Sequence, residues 1–107
     1  MAWNVVLKES VMDDLRHFGR AEGRLILTTA QKRLASNPLE QSRSMKTLRP
    51  NRVAQRELRL FGKFRVLFNV EATGRKVTIS VVGEKRGDAL FVRGEEFTAH
   101  HESDPAD

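Results

Sequence analysis

Cysteine and tyrosine are both missing from these 107 residues, and each absence closes a route. Without thiols there is neither a disulfide framework nor a thiolate metal site, and nothing argues for an oxidising compartment, so a cytoplasmic location is the default expectation. Without tyrosine there is no phenol to exchange a proton. Apolar runs are short, far below the roughly 20 residues of a spanning helix, and MAWNVVLKES carries no basic region followed by an apolar stretch. Neither membrane insertion nor export is expected. Internal repeats and low-complexity segments are also lacking. The length suits one domain with one core, burying roughly two-thirds of the unfolded chain's surface.

Charge is present and unevenly placed. The net charge is +5, and from Arg43 to Arg65 eight Lys or Arg stand against one acid, Glu57, whereas Gly94 to Asp107 holds five acids and no Lys or Arg. A basic central block fits a polyanion such as RNA or DNA, or an acidic protein partner, and its bland alternative is a solvated charged surface.

Periodicity sets the elements. Trp3, Val5 and Leu7 alternate with Asn4, Val6 and Lys8, which predicts a first strand with one buried face. Ser10 followed by Asp13 resembles a capping box for a helix carrying Val11, Leu15 and Phe18 and ending near Gly19. Ile26, Leu27, Ala30 and Leu34 mark the stripe of a second helix over Ala21 to Ser36, stopped by Asn37 and Pro38. Leu39 to Asn51 has no clear period and is expected to be a loop.

Three strand-like runs follow, Arg52 to Leu60, Lys63 to Val70 and Lys76 to Val82, with turns of positive φ expected at Gly62 and at Thr73-Gly74. Alternation puts Phe64, Val66, Phe68 and Val70, with Val77, Ile79 and Val81, toward the helices. Gln55, Glu57, Arg59, Arg65, Leu67, Asn69, Thr78 and Ser80 then share the opposite, polar and positive face. A further strand or short helix is expected around Ala89 to His100. The result is an α+β domain of two layers over residues 3–97, a helical hairpin on an antiparallel meander, followed by an acidic tail over 98–107.

SMKTLRPN, QRELRLFGKFRVLFNV and VVGEKRGDALF, in that order behind an N-terminal strand and a helical hairpin, resemble the pattern of the RelE/ParE toxin superfamily, the toxic halves of type II toxin–antitoxin pairs. The resemblance implies a cognate antitoxin as partner and no metal or cofactor. In its ribosome-dependent branch, mRNA is cut by attack of a ribose 2′-hydroxyl on the neighbouring phosphate. Carried over by position, Arg59 and Arg65 match the family's arginines on the second and third strands, and Lys85 or neighbouring Arg86 matches its basic residue on the closing strand. Gln55 and Glu57 stand where the prototype has lysines, and Phe91 where it has a tyrosine. A carboxylate and a histidine replace these groups in other branches, so Glu57 as base with His100 or His101 as acid is one arrangement, and solvated tail histidines are the alternative.

Fixed Arg and Lys donors suit the charge that gathers on a phosphorane, each worth on the order of 10²–10³ in rate. Lys46, Arg49, Arg52, Arg56 and Lys63 are expected to contact phosphates, with Phe91 or Phe61 as a base-stacking or rim aromatic. The alternative for Arg59 is a salt bridge to Glu57. Phe64, Phe68 and Trp3 read as core. Three functions remain open: an mRNA endoribonuclease on the ribosome, a ParE-like inhibitor of DNA gyrase that catalyses nothing, and a homologue that binds antitoxin without toxicity.

Overall fold

The computed structural model describes residues 2–98. His100, His101 and nearly all of the expected tail lie outside the described residues. In chain order the elements are β1 (Asn4–Leu7), α1 (Glu9–His17), α2 (Arg20–Ser36), β2 (Met45–Thr47), β3 (Arg56–Leu60), β4 (Phe64–Glu71), β5 (Lys76–Arg86), β6 (Ala89–Val92) and β7 (Glu95–Phe97). One sheet runs β2-β3-β4-β5-β6-β7 with antiparallel neighbours, and β1 pairs parallel to β5. This is the expected two-layer α+β arrangement. Neither helix is long and apolar enough to cross a membrane.

Both helices lie on one face of the sheet. Val11, Leu15, Ile26, Ala30 and Leu34 from the helices meet Met45, Leu58, Phe64, Val66, Phe68, Val77, Ile79 and Val82 from the strands in one buried cluster. The hairpin is tight because α2 presents Gly23 to α1, where a Cβ would stand 2.7 Å from the Leu15 carbonyl oxygen.

Several expectations change. Ser10 lies inside α1, whose N-cap is Lys8 with no side-chain cap, so acidic Glu9 in the first turn supplies the favourable charge there. The stretch expected to be a loop contains β2, whose three residues are too few to show a period. Positive φ falls at Gly62, as expected, and at Arg75 (47°) rather than at Thr73 or Gly74. Arg75 covers the Trp3 ring at 4.5 Å, an attraction that offsets strain there.

The stretch from Ala89 to Phe97 forms a hairpin of two strands. Between Leu67 and Phe68 the register with β5 slips, so Phe68 faces Ile79 while Leu67 faces Val81. This bulge reverses the parity of β5, and Val82 replaces Val81 in the core.

Asp14, unremarked in the sequence, is 1% exposed. Its Oδ2 accepts the Val82 N–H at 3.0 Å, and Oδ1 pairs with Arg93 in the β6–β7 turn. Burial raises its pKa above the usual carboxylate value, outweighing the Val82 and Arg93 contacts that lower it. The folded chain therefore holds this proton more tightly than the unfolded chain, and the stability that protonation confers disappears as pH rises through the raised pKa. Asp14→Asn should flatten the acid side of the stability–pH curve, while Asp14→Ala, which orphans the Val82 N–H, should cost about 1–3 kcal/mol. Urea melts from pH 3 to 7 test both. An unchanged pH profile in the asparagine variant would contradict the buried-acid assignment.

Candidate nucleic-acid cleft

The face turned away from the helices is built by cross-strand pairing. Met45, Leu58, Val66 and Val82 point into the core, so their neighbours point out, and register groups them in rows: Lys46 beside Glu57 beside Leu67, Arg59 beside Arg65 beside Gly83, and Lys85 beside Leu90 beside Phe97. The β6–β7 hairpin does not continue flat. A Cβ on Gly83 would lie 2.6 Å from the Phe91 carbonyl oxygen and 3.1 Å from Leu90 and Val92 side-chain atoms, so β6 closes down over this point. The hairpin makes a wall.

Between wall and sheet lies a cleft of about 330 Å³, at the small end of ligand clefts, which run from about 300 to 1,000 Å³. Arg65, Lys85 and Glu57 give it charge, Leu48, Leu67, Leu90 and Phe97 give it apolar surface, and Asp88 and Glu96 add carboxylates.

Arg65 was expected as an exposed prong and is instead a buried floor, 8% exposed. Its Nη1 donates to the Phe64 carbonyl at 3.0 Å, and its Nε stands 3.1 Å from Glu57 Oε2. Arg59 Nε approaches the same oxygen at 3.4 Å, so the salt bridge considered for Arg59 is present. The oxygen is not aligned with either N–H: both Nε atoms are shielded from water and lack a hydrogen bond. Burial lowers the Arg65 pKa, partly offset by Glu57, and the group stays cationic at neutral pH.

The other expected residues separate. Thr78 and Ser80 do not flank Arg65, because the β4–β5 register sets Gly83 opposite Arg65 and Thr78 opposite Asn69, whose Nδ2 donates to Ser80 Oγ at 3.2 Å. Gln55 is tied to the same edge, with Oε1 accepting the Val70 N–H at 2.8 Å. Arg56 is no phosphate contact: it points into the protein, 5% exposed, and donates to the carbonyls of Pro38 and Glu40. The two-residue alternation of β3 puts it with Leu58 and Leu60 rather than with Arg59.

Lys46, Arg49, Arg52 and Lys63 are exposed. The loop carrying Arg49 and Arg52 is held by Asn51, whose Oδ1 accepts the N–H groups of Val53 and Ala54 at 2.8 and 2.9 Å. Lys63 and Arg86 both reach Glu84, at 3.8 and 3.3 Å. Arg86 covers the Phe91 ring at 4.8 Å, so these two lie beyond the cleft and Lys85 is the basic residue of the closing strand that lines it. Phe61 is exposed at the β3–β4 turn. Leu48, Leu90, Phe97, Asp88 and Glu96 were missed; the alternation of Leu90 and Val92 was the only sequence signal for the wall.

A helical hairpin over a curled meander, with its charged cleft opposite the helices, defines a RelE-like α+β fold. The chain is similar to a chain of the toxin–antitoxin complex RelBE2 from Mycobacterium tuberculosis, with a TM-score of 0.68 and 21% identity over 79% of this chain and 93% of that one. No protein-family model and no curated protein sequence matches it.

Proposed function

We infer that the protein is the toxin of a type II toxin–antitoxin pair and that it cleaves mRNA on the ribosome without a metal. The observation that carries this reading is the cleft itself, lined by Arg65 and Lys85 and by apolar walls for a base, with Arg59 beside Arg65 on the neighbouring strand. In the reaction the O2′–P bond forms as the P–O5′ bond breaks. A base removes the 2′-hydroxyl proton and an acid returns one to O5′, each transfer worth about 10²–10⁴. In this reading Glu57, once released from its arginines, acts as the base, and Lys85 protonates or neutralises the leaving oxygen. Arg65 and Arg59 stabilise the phosphorane.

A second reading has its own observation. Among the described residues lining the cleft there is neither histidine nor tyrosine, and Glu57 neutralises part of the arginine charge. That suits a gyrase inhibitor that catalyses nothing. Primer extension on mRNA from cells expressing the chain, beside a gyrase supercoiling assay, decides between them: codon-proximal cuts support the nuclease, and supercoiling inhibition without cuts supports the inhibitor.

The antitoxin partner has a fitting surface between the helices. Met12, Leu15, Gly19, Gly23 and Leu27 form an apolar groove rimmed by Arg16, Arg20 and Arg24, which suits an acidic amphipathic segment that folds on contact. Co-expression with the cognate antitoxin should relieve growth arrest.

RNA or ribosome binding should weaken steeply between about 50 and 200 mM salt. Alanine at Arg49, Arg52 or Lys63 should weaken it by similar amounts, while Arg56→Ala should lower the melting temperature instead. Salt-insensitive association in a filter-binding assay would make the basic block an ordinary solvated surface.

A further inference from the structure

We propose that Glu57 is a built-in anion that occupies the phosphate position between Arg59 and Arg65, and that an incoming phosphate displaces it onto Lys46. Three observations converge. One carboxylate oxygen, Oε2, serves both guanidiniums, 3.1 Å from Arg65 Nε and 3.4 Å from Arg59 Nε. Both Nε groups are buried without a hydrogen bond, so the carboxylate neutralises the pair without satisfying it. Buried charged donors left in that condition favour a better-aligned acceptor. A phosphate has tetrahedral oxygens and more charge than a carboxylate, and it can address two forks that converge on one point.

The third observation is the exit. Lys46 on β2 pairs directly across from Glu57 on β3, and directly opposed side chains have Cβ atoms about 4.5–5.5 Å apart. Lys46 is exposed, and Glu57 is only partly so. Rotation of one side chain toward Lys46 therefore exchanges a carboxylate–guanidinium contact for a carboxylate–ammonium contact without leaving Glu57 unpaired. No backbone movement is required. Arg65 stays fixed throughout, because its Nη1 remains on the Phe64 carbonyl. The arrangement holds the arginine pair in place when empty, sparing the cleft two adjacent uncompensated cations, and it makes phosphate affinity a competition with an internal anion. The proposal rests on the reading above only in taking a phosphate group as the ligand.

Inorganic phosphate is the first probe, titrated by calorimetry into the full chain and followed by a short 2′-deoxy-substituted RNA that cannot be cut. Glu57→Gln keeps the shape and removes the competing charge. It should bind phosphate about tenfold more tightly than wild type, roughly what one charge-assisted contact is worth. Equal or weaker binding by Glu57→Gln would overturn the proposal, since the carboxylate would then be organising the arginines rather than competing for them.

Lys46→Gln should weaken phosphate binding in the wild-type background and change little in the Glu57→Gln background, the non-additivity expected of a landing site. Equal weakening in both backgrounds would instead make Lys46 a direct phosphate contact and overturn the displacement route. If Glu57→Gln does not fold, wild-type NMR carries the test. The Glu57 carboxyl carbon and the Arg59 and Arg65 Nε–H signals should shift together on saturation with phosphate, and arginine shifts with an unmoved Glu57 would count against displacement. Tighter phosphate binding by a chain that never cuts RNA supports the proposal and sinks the nuclease reading; RNA cutting with phosphate binding unaffected by Glu57→Gln does the reverse.

Discussion

Arg65→Ala should abolish activity and also destabilise the protein, by about 1–3 kcal/mol. The activity loss follows from position. Arg65 lines the cleft, its cross-strand neighbour is Arg59, and among the described residues no other guanidinium lines it. Removing one preorganised donor to a developing oxyanion costs on the order of 10²–10³ in rate. From sequence alone the side chain would be expected to leave folding untouched, since alternation puts it on the solvent side of β4. The structure shows it 8% exposed, donating to the Phe64 carbonyl and paired with Glu57. Truncation leaves Glu57 with Arg59 alone.

For a domain of this size a loss of 1 kcal/mol lowers Tm by about 4–8 °C, so a thermal melt must accompany the toxicity and primer-extension assays. Arg65→Lys should melt closer to wild type but recover only part of the activity, because an ammonium cannot reproduce the fork. An alanine variant that remains fully toxic would remove this face from the function altogether.

The case of Arg65 shows how far periodicity reads. It places a side chain on a face, and for the helices and β4 it placed Ile26, Leu34, Phe64 and Phe68 correctly. Depth is a tertiary property. Whether Arg65 stands in solvent or under a wall depends on the β6–β7 hairpin, and that hairpin's position is written in contacts between residues far apart in sequence.

The same limit explains β5. Strict alternation carried Val81 into the core, and the bulge opposite Leu67 and Phe68 reversed it, bringing Val82 inward, while the register that sets Gly83 opposite Arg65 keeps Thr78 and Ser80 away from it. A bulge adds one residue to one strand and leaves no compositional mark. Arg56 was misplaced for a related reason. It shares a basic block with Arg52 and Arg59, but charge counting along the chain ignores that β3 turns every second residue inward, where carbonyls of Pro38 and Glu40 receive its guanidinium. Glu57, by contrast, was legible as the single acid in a basic block, and its pairing with Arg59 was among the readings open from sequence.

Gly83→Ala tests the geometry that sequence could not supply. Gly83 lies opposite Arg65 on the adjacent strand, and its missing side chain is what lets β6 close over the sheet. A Cβ there would meet the Phe91 carbonyl oxygen at 2.6 Å, with Leu90 Cδ1 and Val92 Cγ2 both at 3.1 Å. Side-chain ends can rotate away, but the carbonyl belongs to the β5–β6 ladder, which pairs Glu84 with Phe91 and Lys85 with Leu90. To relieve the clash β6 must lift, and β7 must follow, since Leu90 pairs with Phe97.

Overpacking of this kind costs about 1–3 kcal/mol. The larger consequence is for the cleft, which loses the Leu90 and Phe97 wall beside Lys85. Gly83→Ala should therefore melt several degrees below wild type and, at a temperature where it is still folded, bind RNA with the salt dependence of the basic surface but without cleavage. Gly74→Ala, at a position with open space around its Cβ, is the matched control and should leave both properties near wild type. If Gly83→Ala melts with wild type and cuts normally, β6 does not close over this strand, and the cleft between sheet and hairpin is not the working surface.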